Sequence, residues 1–160
     1  MIGPPPTEEV KMAAIVESVE IRRRPEEVFP YVTDPSHLTE WQESLVSAGL
    51  EGAGPPDVGS RMTQTRRIGP SERTMTMEVT EYEPPRRWAF RGIDGPVRAI
   101  GKGTVEPLGE GEGSRLTIEL DFEGHGIGKL LVPLVVRRQA RGELPRNERK
   151  LKERLESGPA

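Results

Sequence analysis

The side chains that do most enzyme chemistry are sparse in this chain of 160 residues. It carries two histidines, His37 and His125, and no cysteine, so thiolate catalysis, disulfides and cysteine-ligated metal centres are excluded. His37 precedes Trp41 in a polar stretch, and His125 stands between Gly124 and Gly126. Both places suit loops bordering a cavity mouth, where an imidazole could act as a general base; a surface or capping role is the alternative. Asp121, Glu123 and His125 recur at every second position, which on a strand turns three polar groups to one side. Two separated histidines without a thiol form no recognisable zinc set, and the expectation is no metal and no cofactor. Tyr82 could donate a proton but belongs to a turn motif. Paired carboxylates, a nucleophile elbow and a phosphate loop are not recognisable, so no catalytic residue is assigned.

Apolar recognition is better represented. Met75, Met77 and Val79 alternate with polar residues, as do Trp88 and Phe90, and alternation on a strand places each set on one face. Unbranched, polarisable methionine suits a wall that accepts varied shapes, and with only 4% aromatic residues each ring stands out. These side chains, with Met62 and Phe122, could line a cavity for a hydrophobic small molecule or fill a solid core. Trp41 is expected near the mouth or base of such a cavity, its indole N–H either donating to a ligand oxygen or anchoring a short helix. Further along, Leu130, Leu134 and Arg138, beside Arg137 and Arg141, are the segment that could reach the cavity from a helix. An inward arginine would fix a carboxylate or enolate oxygen; the other reading is a solvated face.

Those residues need a sheet and a cover. Leu144, Leu151 and Leu155 follow one another by steps of seven and four, which keeps them on one side of a helix. A long helix is therefore expected over residues 126–156, bent or divided by Pro133 and Pro145. Residues 13–21 read as a first strand. Pro25, Glu26 and Glu27 open a short helix, since proline fits the first helical position and acids face the positive helix end. Thr33 or Asp34 caps a second short helix through His37, Leu38 and Trp41. Residues 49–59 form a loop rich in glycine and proline. Alternating runs then follow to Phe122, separated by turns at Gly69, Pro84, Gly92 to Pro96, and Gly109 to Gly113. Gly101 and Gly103 share one strand with Val97, Ala99 and Val105, where missing side chains permit bending or leave room alongside.

The order is thus one strand, two short helices, about six strands and a long helix, an antiparallel sheet closed over a terminal helix. Residues 1–12, with three consecutive prolines, read as a loose leader, and residues 13–157 as one domain. A net charge of -3 gives no global pull toward nucleic acid, although arginines occur in pairs. There is no apolar run of about 18 residues, as a membrane span needs, and no secretory signal pattern. A cytoplasmic protein without integral membrane association is expected, either monomer or homodimer.

Motifs along the chain add a resemblance. Val19, Ile21, Pro25, Glu26, Val28, Phe29, Val32, Asp34 and Trp41 resemble the opening of the START-like, or SRPBCC, superfamily, often labelled polyketide cyclase/dehydrase and lipid-transport proteins. Gly59-Ser60-Arg61 and the run Val79-Thr80-Glu81-Tyr82-Glu83-Pro84-Pro85-Arg86 are similar to its central strands and turn, and Leu151 to Glu156 to its terminal helix. The resemblance implies an α+β helix-grip fold: a seven-stranded curved antiparallel sheet around a long C-terminal helix, with two short helices after the first strand. It also implies a cavity for hydrophobic ligands between sheet and helix. Relatives of this kind include carriers, receptors, cyclases, chaperone activators and oxygenase domains, and this chain lacks the cysteine ligands of the oxygenases' iron-sulfur cluster. The leading expectation is a carrier or sensor of a lipid, polyketide or aromatic-like molecule. The alternatives are a polyketide cyclase/dehydrase-like enzyme, or a protein-interaction module of the chaperone-activator kind.

Overall fold

The computed structural model describes residues 14–158, so the leader expected over residues 1–12 lies outside the described residues. The first strand, β1 (Ile15–Ile21), leads into helix α1 (Pro25–Thr33), a 3-10 turn (Pro35–His37) and helix α2 (Leu38–Trp41). Strands β2 (Leu45–Leu50), β3 (Arg61–Ile68), β4 (Ser71–Glu83), β5 (Arg87–Gly92), β6 (Val97–Leu108) and β7 (Gly113–Gly124) follow. The chain closes with α3 (Gly128–Leu131), a π-helical stretch (Val132–Val136) and α4 (Arg137–Ser157). This is the helix-grip fold.

All strand pairs are antiparallel, and the spatial order is β1-β7-β6-β5-β4-β3-β2. Successive hairpins build β2 to β7 in chain order, while β1 returns to pair with β7. The two short helices therefore cross from one sheet edge to the other. Pro25 starts α1 with Glu26 and Glu27 in its first turn, and Asp34 caps the next turn by accepting from the Ser36 amide at 2.9 Å. A polar knot pins these helices to α4. Tyr31 donates to Glu40 at 2.6 Å, and Arg154 donates to the Tyr31 hydroxyl at 3.0 Å. Glu40 immediately precedes Trp41, which is thereby held beneath the sheet.

Strand β2 has no clear sequence signature. Only Leu45 in it is buried, Val46 is exposed, and the register shifts between Leu45 and Ser47. An edge strand with a bulge does not show the alternation that marks the others.

The sheet bends where β6 forgoes two side chains. Gly103 pairs with Trp88 and Gly101 with Phe90. A Cβ at either glycine would overlap the facing ring, so the aromatic side chains lie flat over bare backbone. The buried apolar residues form two groups along the concave face. One gathers Phe29, Val32, Trp41, Leu116, Leu144 and Leu151. The other gathers Ile68, Met75, Met77, Val97, Val132 and Val136. Leu144 and Leu151 are 4% and 0% exposed, as the leucine row requires.

Neither proline divides the terminal helix. Pro133 falls in the π-helical stretch, whose wider turn accommodates the missing amide, and Pro145 lies inside α4. The helix leaves β7 through a tight corner: a Cβ on Gly128 would strike the Pro96 carbonyl, and one on Gly124 would strike the Gly128 carbonyl.

Two glycine substitutions should act in opposite directions in urea unfolding. Gly103→Ala forces Trp88 off its seat and is expected to destabilise by about 1–3 kcal/mol. Gly142 lies on an exposed helical turn with only Arg146 within reach, at 3.7 Å. Gly142→Ala should stabilise by about 0.5–1 kcal/mol through helix propensity. Equal effects of the two would refute the ring-over-glycine account.

Candidate functional site

A cavity of about 170 Å³ lies between the sheet and the terminal helix, where the two apolar groups meet. An engineered apolar hole of roughly 150 Å³ stays dry and takes benzene, so this space admits a guest of at least one ring. Trp41, Met62, Met75 and Met77 line it from α2, β3 and β4, and Trp88, Phe90 and Phe122 from β5 and β7. The helix contributes the apolar side chains of Val136, Ala140 and Leu144, four residues apart, with Gln139, Glu143 and Asn147 beside them.

Leu130, Leu134 and Arg138 are not part of this wall. Leu130 and Leu134 are 64% and 69% exposed, and Arg138 is also exposed. The inward row is Val132, Val136, Ala140 and Leu144, and residues two positions out of that row lie on the opposite face. The block Leu130 to Val136 is apolar on every side, which conceals the period. Arg137 turns inward, yet pairs with Asp121 at 2.9 Å and does not line the cavity. Arg141 is exposed.

The imidazoles also stay outside. His37 stacks on Tyr31, with ring centroids 4.6 Å apart, and its Nδ1 lies 3.1 Å from Glu40. His125 is exposed beside Glu123. Among the described residues no group of three His, Cys, Asp or Glu side chains could hold a metal ion. Tyr82 does line the cavity, its ring tilted against Phe29 at 5.5 Å.

One part of the wall is polar. Arg66, on β3, donates from Nη1 to the Ser44 hydroxyl at 2.8 Å, and from Nη2 to Gln42 at 2.6 Å and Gln64 at 3.1 Å. The Glu143 carboxylate of α4 lies 3.8 Å from the same guanidinium. Its Oε2 accepts from the Ser44 amide at 3.1 Å, the Ser44 hydroxyl at 3.0 Å and Asn147 Nδ2 at 2.9 Å. Burial pulls Arg66 below the ordinary guanidinium range, and Glu143 opposes that shift. All six of these residues border the cavity. A signal for them existed: Met62, Gln64, Arg66 and Ile68 share one strand phase, so Gln64 and Arg66 had to face inward with the apolar pair. On the helix, Glu143 and Asn147 are four apart beside the Leu144–Leu151 row.

The family model described as "Polyketide cyclase / dehydrase and lipid transport" matches residues 12–156. The chain belongs to this family. No curated protein matches the sequence. Solved structures show the same fold at low identity. A START superfamily protein from Mycobacterium smegmatis is 16% identical, with TM-score 0.73 over 91% of this chain and 98% of that one. A protein from Thermus thermophilus is 20% identical, with TM-score 0.72 over 89% and 96%. The Zhui aromatase/cyclase from Streptomyces is 14% identical, with TM-score 0.70 over 90% and 96%. In this member of the family, the apolar lining between sheet and helix makes the cavity a site for a hydrophobic ligand, as is typical of the fold. No helix among the described residues is long and apolar enough to cross a membrane.

A second inward carboxyl, Glu148, lies outside the cavity, on a helix that packs along β1. It is 2% exposed and its Oε2 has no hydrogen-bond partner among the described residues. Burial, and then the charge of Glu17 on β1, push its pKa up from 4.5 to about 8. The folded chain therefore holds a proton that the unfolded chain has released, and stability falls as pH rises from 4.5 to about 8. Glu148→Gln should unfold at a higher temperature than the parent at pH 8, with the advantage shrinking toward pH 4.5. Parallel melting curves across that range would show that Glu148 ionises freely in the fold.

Proposed function

We propose that the protein binds a largely apolar small molecule reversibly in this cavity, as a carrier or sensor. The observation that carries the reading is a hollow walled by Met75, Met77, Phe90 and Val136. Methionines adapt to guests of different shape, and rings add contact area with few torsions to freeze. The acid and base groups at the wall support the same reading. Glu143 Oε2 already takes three hydrogen bonds, and both histidines lie elsewhere, so neither they nor Glu143 is poised as a general base.

The enzymic alternative, a cyclase/dehydrase-like reaction, rests on Arg66 and Tyr82 bordering the cavity. In that case the guanidinium would stabilise an enolate oxygen. An interaction module of the chaperone-activator kind would draw on the exposed side chains of Ile127, Leu130 and Leu134.

Native mass spectrometry of freshly purified protein should show a retained hydrophobic molecule, extractable without chemical change. In titrations with an environment-sensitive apolar dye, Ala99→Leu places three more carbons in the cavity wall. It should weaken binding about tenfold, equivalent to roughly 1.4 kcal/mol. Leu134→Ala, on the outer face, should leave the affinity unchanged. Weaker binding in Leu134→Ala with none in Ala99→Leu would move the ligand to the helix surface, and turnover of the extracted molecule would favour the enzyme.

A further inference from the structure

The polar groups of the cavity wall differ in one respect: most are already engaged, and a few donors are not. Both terminal nitrogens of Arg66 donate within the wall, to Ser44, Gln42 and Gln64. Glu143 sits beside Arg66 at 3.8 Å, so the formal charges of the cluster cancel. Asn147 donates to Glu143 and accepts from the Glu43 amide at 3.0 Å. Gln139 is held at both ends, by the Arg67 carbonyl and the Gly69 amide. Thr33 donates to the Phe29 carbonyl. Lys102 pairs with Glu119 at 3.3 Å. Three lining donors have no hydrogen bond among the described residues, the indoles of Trp41 and Trp88 and the Tyr82 hydroxyl, and of these only Trp41 is buried. It lines the cavity and is 3% exposed, and its Nε1 has no acceptor among the described residues.

A buried N–H left without an acceptor is costly, and the guest that relieves it must bring a lone pair. The engaged cluster limits which guest that is. A carboxylate would have to displace Ser44, Gln42 or Gln64 from Arg66 and would then face Glu143 at close range. An ammonium would face Arg66. Either would give up its hydration to enter an apolar cavity whose charged groups, Arg66 with Glu143 and Lys102 with Glu119, are already paired. A carbonyl, ether or hydroxyl oxygen meets the indole without disturbing the cluster.

We propose that the ligand is an uncharged, oxygen-bearing apolar molecule whose oxygen accepts the Trp41 indole N–H, and that the closed Arg66–Glu143 cluster discriminates against the corresponding acid and amine. This rests on the cavity being the ligand site and adds the chemical class of its occupant. The site recognises oxygen through a donor, and it selects for neutrality by having no unspent charge to offer.

The test uses four probes with one ring each: ethylbenzene, acetophenone, benzoate and benzylamine, competing against the apolar dye. Acetophenone should compete best, and benzoate and benzylamine at least tenfold less well. Trp41→Phe should lower acetophenone affinity about fivefold more than it lowers ethylbenzene affinity, the worth of one buried hydrogen bond beyond the shared loss of contact. The indole N–H resonance of Trp41, identified as the one that remains in Trp88→Phe, should move downfield with acetophenone and not with ethylbenzene; this readout stands even if Trp41→Phe folds poorly. Benzoate binding as tightly as acetophenone would overturn the proposal, showing that Arg66 opens to anions. Equal losses of ethylbenzene and acetophenone in Trp41→Phe, with no indole shift, would also overturn it, reducing Trp41 to a matter of shape. Failure of ethylbenzene and acetophenone alike to displace the dye would instead strike at the cavity as a binding site.

Discussion

The fold depends on a strand that presents bare backbone to its neighbour. Gly101 and Gly103 leave β6 without side chains where Phe90 and Trp88 need to lie. With larger residues there, the rings would be lifted off the sheet into the space that the cavity occupies. With the glycines, the rings lie against the wall, the sheet curls, and the hollow stays open. Close packing normally removes voids of this size, because each costs lost dispersion contact. A void kept open by a specific pairing of small and large residues is therefore a feature of this architecture and not a packing defect.

The second constraint is electrostatic. A guanidinium and a carboxylate sit in an apolar wall, where either alone would be strongly disfavoured. Ser44 makes the arrangement workable by bridging them: its hydroxyl accepts from Arg66 and donates to Glu143. The same contacts join the loop before β2 and strand β3 to the middle of α4. The polar cluster thus fixes the position of the helix over the sheet as well as the character of the cavity.

Much of this was legible in the sequence for one reason: half-buried strands and a half-buried helix print their periods. Met75 and Met77, Leu116 to Phe122, and Leu144 with Leu151 could each be placed by counting. Where a segment is apolar on all sides, counting fails, and Leu130 and Leu134 were set on the inner face when Val132 and Val136 occupy it. Strand β2 was hidden because an edge has no buried row to display. The Arg66–Glu143 cluster was hidden differently. Its members lie on elements far apart in sequence, and polar residues in an inward phase look like interruptions until the partner across the cavity is known. Trp41 can be placed near the cavity from its short helix, yet only the structure shows that its donor is left over.

The corner between β7 and the helix carries a last implication. Gly124, Gly128 and the Pro96 carbonyl meet backbone against backbone, so no side chain there can be lengthened or trimmed to alter the angle at which the helix departs. The pitch of the roof where it leaves the wall is thus set by main-chain atoms, and the polar cluster holds it farther along. Descendants of this chain that came to house larger or smaller guests would have to carve the walls, residue by residue, because the hinge offers them nothing to adjust.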